Sequence, residues 1–231
     1  MESIGRAHHS FLTDAVPEVE RLIEVHVRET GEGPGRRRPE IQVVSRAAVV
    51  FTCTYWEAFC EDLAAEALRH LAEHAKDAGA LPAGVKKTFK KILLDEKNEL
   101  AIWSLADEGW REELRKRADW IVGGDDWSLN TAKPAQVKDF FNRYVGIADI
   151  TKAWAWPRMS ADSATRRLRD FVTLRGDIAH RGGPGESVHK SKATNGLKFV
   201  KRLAAKSAER VDEHLREHTG ESLPRTELPE G

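Results

Sequence analysis

The sequence predicts an all-α fold, a helical bundle built round a long central helix, and three observations carry that expectation. Apolar residues recur at helical spacing in nearly every stretch that has any periodicity. No run alternates apolar and polar side chains for long enough to make a convincing strand. The periodic stretches are separated by segments such as TGEGPGRRRPE and GGDDWSLNTAKP, whose glycines and prolines end helices. With 231 residues, 40% of them hydrophobic and 32% charged, the chain can bury one sizeable core. The expected organisation is a single helical domain over residues 1–218 and a disordered tail over 219–231.

The first helix is expected from Ala7 to Glu29, with Phe11, Leu12, Val16, Val19, Leu22, Ile23 and Val27 as its apolar stripe. Pro17 should kink it or delay its start. The strongest element follows, from Ile41 to about Ala78. There Val44, Ala48, Phe51, Tyr55, Phe59, Leu63, Ala67 and Leu71 keep helical spacing over many turns, so this helix is expected at the centre. A short helix over Val85–Leu94 and a longer one over Lys97–Val122 come next, the latter carrying Leu100, Trp103, Leu105, Trp110, Leu114 and Trp120. Pro134 suits the first turn of a helix PAQVKDFFNRYVG that stops at Gly146. Ser160 or Asp162 can cap the next, which turns Leu168, Phe171, Val172, Leu174 and Ile178 inward and ends near His180 at Gly182, Gly183 and Pro184. A last amphipathic helix is expected over Ser187–His218, followed by GESLPRTELPEG as the disordered tail. The sequence has no internal repeat.

Charge and cysteine content narrow the classes of function. Lys plus Arg equals Asp plus Glu at 37 each, so no overall field favours nucleic acid or an anionic membrane and any basic site must be local. Cys53 and Cys60 stand seven residues apart in a helical pattern, about 10 Å along the axis, too far to bridge. They read as reduced core residues. No apolar run reaches the length of a membrane span and no apolar signal segment follows Met1. The expected location is cytoplasmic, with no membrane partner.

The stretch LRGDIAHRGGPG, Leu174 to Gly185, holds the candidate chemistry. Arg175 and His180 form an R-x-x-x-x-H spacing at the end of an amphipathic helix, where the helix dipole favours a protonated imidazole. Five residues turn a helix by about 140° and advance it about 7.5 Å, so the two side chains do not share a face. Two copies about a two-fold axis can bring an Arg and a His from each chain into one cleft, which makes a homodimer part of the reading. Asp177 can orient the His180 ring or pair with Arg181. Gly176 leaves open space beside it. On the central helix Glu57 and Glu61 lie one turn apart among apolar residues, and Glu57 can face the cleft to position Arg175 or His180; a partly solvated helix face is the alternative.

Three segments in order, TYWEAFCEDLAAEAL, WSLNTAKPAQVKDFFNRYVG and LRGDIAHRG, make the chain, from roughly Val43 to Arg210, resemble HEPN domains of the RiboL-PSP type. That resemblance implies a helical bundle and a metal-independent endoribonuclease of toxin–antitoxin, anti-phage or RNA-processing systems, needing no cofactor. Arg175 and His180 match the two signature positions. The family usually has a polar residue directly after the arginine, whereas here Gly176 stands there and Asp177 one place later. The implied partners are an RNA substrate, a second copy of the chain, and a cognate antitoxin or defence-system component. The alternative implied by the same family is a catalytically silent dimerisation or nucleotide-binding adaptor.

Other motifs read as structural. HLAEH, His70 to His74, has the H-x-x-E-H pattern of inverted zinc peptidases, but no third-ligand segment accompanies it and a solvated helix face is expected. His8 and His9 are expected at the surface. Of the basic clusters, Arg166 and Arg169 precede Arg175 on one helix and, with Arg181, are the candidate RNA-binding residues. The lysines and arginine of the last helix read as an ordinary solvated face. The tryptophans read as core or corner packing, with Trp154 and Trp156 as lesser candidates for base stacking.

Overall fold

The computed structural model describes residues 2–30, 39–95, 101–124, 129, 131–181 and 188–228. Its architecture is all-α with one small two-stranded sheet. The central helix, α3 (Pro39–His74), runs 36 residues, about 54 Å. It is apolar on more than one side: Ala48, Trp56, Phe59, Cys60, Leu63, Leu68 and Leu71 are all buried. Such a helix must be surrounded, and α3 packs against α1 (Gly5–Ser10), α2 (Val16–Thr30), α5 (Gly109–Gly123), α7 (Ala161–Arg181) and α8 (Lys190–Thr219).

The predicted first helix is continuous but changes pitch. Between α1 and α2 lies a π-helical turn, Phe11–Ala15, and Pro17 falls in the first turn of α2. Proline has no N–H to give the carbonyl four residues back and crowds it. A wider turn just ahead absorbs that misfit without breaking the helix. Upstream, the backbone N–H groups of Arg6 and Ala7 donate to the two carboxylate oxygens of Glu66 on α3, at 2.6 and 2.9 Å. Glu66 thus supplies the cap that α1 lacks locally.

Of the helix expected over Lys97–Val122, residues 97–100 lie outside the described ones, and the rest is a 3-10 turn, Ala101–Leu105, followed by α5. The chain turns at Asp107 (φ +49°), and a Cβ on Gly109 would lie 1.9 Å from the Ser104 carbonyl oxygen. Only glycine permits that approach. Trp103, read as inward packing, is 72% exposed as a result. Elsewhere the expected elements hold within a few residues: α4 spans Ala83–Asp95 and α6 spans Pro134–Tyr144 with proline in its first turn. Of the two candidate caps for α7, Ser160 is the one used: its hydroxyl accepts the Ser163 N–H at 3.2 Å. The glycines and proline expected to end α7, residues 182–184, lie outside the described residues.

Residues 220–228 correct the expected disordered tail. β2 (Arg225–Glu227) pairs antiparallel with β1 (Glu2–Ile4). Leu223 is buried, and its N–H donates to Asp212 at 2.7 Å. The same carboxylate pairs with Arg225 at 3.2 Å. A buried apolar anchor, a charged acceptor and a backbone ladder together offset the ordering entropy that composition alone predicts will win.

Candidate active site at the seam between α3 and α7

On α7, Leu168, Phe171 and Val172 are buried, while Leu174 and Ile178 pack at the core's edge. This stripe lays the helix on α3 at the level of Cys53, whose thiol lies 4.0 Å from the Phe171 carbonyl. Arg175 stands half-buried on the border of that stripe. Its positive charge acts on two side chains of α3, Cys53 and Glu57.

Glu57 and its neighbour Trp56 both hold Ala132. One carboxylate oxygen accepts the Ala132 N–H at 3.1 Å, and the neighbouring Trp56 indole donates to the Ala132 carbonyl at 3.2 Å. One turn on, Glu61 accepts the Leu129 N–H at 2.6 Å. Two carboxylates therefore strap the connection before α6 onto the central helix, giving orphan backbone donors a charged acceptor. Burial raises the pKa of Glu57, while the Ala132 bond and the Arg175 charge pull it back. Glu61 is likewise raised, first by burial. Burial pushes the Cys53 thiol up to about 12 against the pull of Arg175, so it is no thiolate nucleophile near neutral pH.

The structure brings Arg175 and Glu57 into one electrostatic neighbourhood, while Asp177, Arg166 and Arg169 are exposed. α7 is α-helical without a break from Ala161 to Arg181. The five residues from Arg175 to His180 therefore keep their rotation of about 140°. His180 and Arg181 occupy the last turn of α7, and their side chains lie outside the described ones. Asp177 is exposed. Among the described residues, and apart from its chain neighbours and its own helix backbone, nothing lies within 4 Å of where a Cβ on Gly176 would sit.

Arg166 and Arg169 are exposed and engage Ser163 at 3.2 Å and Asp170 at 3.5 Å. Nine residues separate Arg166 from Arg175, a rotation of about 180°, so the two face opposite ways. Arg167, passed over in the sequence, reaches α8 instead. It donates to the Asn195 carbonyl at 3.0 Å and lies over the Phe199 ring at 4.5 Å. The signal was present in the helical period, which separates adjacent arginines by about 100°.

The remaining motifs also receive places. His70 is buried, not solvated, with its Nε2 3.2 Å from the Glu221 carbonyl oxygen. His8 is buried with its Nδ1 accepting the Ile4 N–H at 3.2 Å, and His9 meets the Ser3 hydroxyl at 3.1 Å, so neither is a plain surface residue. Trp154 is fully buried and donates to Ser207 at 2.9 Å, which removes it as a stacking platform. Trp156 packs beside Phe199 at the core's edge.

The sequence matches a family model, RiboL-PSP-HEPN, over residues 14–214. The chain belongs to the RiboL-PSP-HEPN family. No curated protein and no solved structure matches it. The family region runs from the π-helical turn into α8 and contains the whole α3–α7 seam, whereas β1, α1 and β2 lie outside it. Among the described residues, no helix is long and apolar enough to cross a membrane.

Proposed function

We propose that this RiboL-PSP-HEPN protein is a metal-independent endoribonuclease that works as a homodimer in a toxin, anti-phage or stress-response setting. The observation that carries the reading is the family's R-x-x-x-x-H signature falling on α7, with Arg175 half-buried beside Glu57 at the seam with α3. RNA supplies its own nucleophile, so the protein has only to move protons and stabilise charge. The 2′-oxygen loses its proton and attacks the adjacent phosphorus. The bond from phosphorus to the 5′-oxygen breaks, and that oxygen takes up a proton. His180 serves this proton traffic, and Arg175 neutralises charge on the non-bridging oxygens. The products are a 2′,3′-cyclic phosphate and a 5′-hydroxyl, and DNA, which lacks the nucleophile, survives.

A rotation of about 140° between positions 175 and 180 of one helix supports a composite cleft in which one protomer's arginine works with its partner's histidine. Asp177 orients the histidine ring, Glu57 positions the arginine, and Arg166, Arg169 and Arg181 hold RNA outside the cleft. A cognate antitoxin or defence-system component would act by covering it.

The test is induction of the wild type, Arg175→Ala and His180→Ala, with cellular RNA ends mapped. Growth arrest and new cyclic-phosphate ends from the wild type alone support the enzyme. Equal harmlessness of all three favours a catalytically silent adaptor, to which the departure at Gly176 also points. Cleavage by purified protein should persist in excess chelator, and an active strict monomer would overturn the composite cleft.

A further inference from the structure

We propose that the amino-terminal half of α8, joined by Arg167 of α7, is the track that carries the RNA backbone to the site. The proposal rests on the ribonuclease reading and extends the contact surface beyond Arg166 and Arg169. Between Val188 and Ala208 the chain has six Lys and Arg and no Asp or Glu, whereas residues 209–217 of the same helix carry Glu209, Asp212, Glu213 and Glu217. In a protein of zero net charge such segregation makes a local positive field.

Helix stability does not account for it. The macrodipole favours acids in the first turn and cations in the last, yet the first turn of α8 has no acid and Lys190 and Lys192 instead. An arrangement that works against the helix's own dipole, while adding to the positive potential at its amino terminus, suits an external polyanion.

The side chains divide between structure and surface. Lys201 pairs with Glu20 of α2 at 3.4 Å, and Lys206 with Glu209 at 2.5 Å. Lys198 and Arg202, one turn apart, are exposed and form no ion pair among the described residues. Arg167, fixed on the Asn195 carbonyl and the Phe199 ring, joins this stripe to α7. From there Arg175 lies about 12 Å further along the helix and about 80° round it, so that of Arg166, Arg167 and Arg169 it is Arg167 that points most nearly the same way.

The experiment measures binding of a 5′-labelled, mixed-sequence single-stranded RNA by fluorescence anisotropy. The full chain carries His180→Ala to prevent turnover, with and without Lys198→Gln plus Arg202→Gln. Loss of two phosphate contacts should weaken binding about ten-fold near 0.1 M salt and reduce the slope of log K against log salt by about 1.4. Neutralising two exposed lysines elsewhere, Lys76→Gln plus Lys116→Gln, should change affinity less than two-fold. Melting curves confirm that each variant folds. Unchanged affinity and slope in the Lys198 and Arg202 variant overturn the track, even where the chain with His180 intact cleaves RNA. Track-dependent binding by a chain that does not cleave upholds the track and overturns only the ribonuclease reading.

Discussion

Arg175 on α7 stands near enough to Glu57 on α3, across the seam of the two helices, for its charge to offset part of the rise that burial imposes on the carboxyl pKa. Because Glu57 also accepts the Ala132 N–H, substitution separates its two duties. Glu57→Gln keeps an acceptor for Ala132 and loses the charge. The expected outcome is a fold of unchanged melting temperature and a fall of about ten-fold in kcat/KM on RNA, about 1.4 kcal/mol of transition-state stabilisation. The pH profile gives the sharper readout. A raised carboxyl pKa means that Glu57 takes its proton at a higher pH than an ordinary glutamate, so the parent should lose activity on that acid limb and the glutamine variant should not. An identical acid limb in both proteins removes Glu57 from the site.

Helical period made most of the fold legible, since long runs such as Ala48 to Leu71 permit few other readings. It failed where tertiary contact decided. Trp103 and Leu105 continue an apolar rhythm, yet the close approach of Gly109 to the Ser104 carbonyl ends the turn between them and α5. β2 carries no strand signal in Arg-Thr-Glu, because its partner strand lies more than two hundred residues away. At the candidate site, the family signature singles out Arg175, and isolation among apolar neighbours singles out Glu57. The bond from Glu61 to the Leu129 N–H was not, because periodicity says nothing about which loop crosses which helix face.

The clasp at the termini should carry stability and not catalysis, since β1, β2 and Leu223 lie outside the family region. Leu223 is buried against the core and its N–H is held by Asp212. Leu223→Ala should cost about 2–3 kcal/mol, measured as a lower urea midpoint at constant slope. Activity per folded molecule should stay at the parent's value. A midpoint equal to the parent's would mean that the tail rests on the surface without anchoring it.

Close packing of α7 on α8 runs through Phe171 and Gly196: a Cβ on Gly196 would lie 2.4 Å from the Phe171 ring. Gly196→Ala improves intrinsic helix propensity by about 1 kcal/mol, but it forces the ring to move, and overpacking of this kind costs about 1–3 kcal/mol. With so severe an overlap, the packing cost should win and the melting temperature should fall. Phe171→Leu in the same chain vacates the ring edge and should recover part of the loss. Additive losses in the double variant would refute coupling between the two positions.

His8 gives the fold a defined sensitivity to acid. Its ring is buried beside Phe59, and its Nδ1 accepts the Ile4 N–H, a bond that only the neutral ring can accept. Burial, with a smaller contribution from His9 and against the pull of Glu209, lowers its pKa from 6.5 to about 4. The unfolded chain therefore binds the proton more tightly than the folded one. Stability from this group is fully present above pH 6.5 and is lost as pH falls toward 4. Between pH 7 and pH 5 the loss from His8 alone should be about 2 kcal/mol, and His70 and His214, also lowered by burial, act in the same direction. Urea titrations at the two pH values should show that drop in the parent and a shallower one in His8→Gln, which cannot titrate. An equal drop in both proteins would assign the acid sensitivity to the other histidines and leave His8 a packing residue.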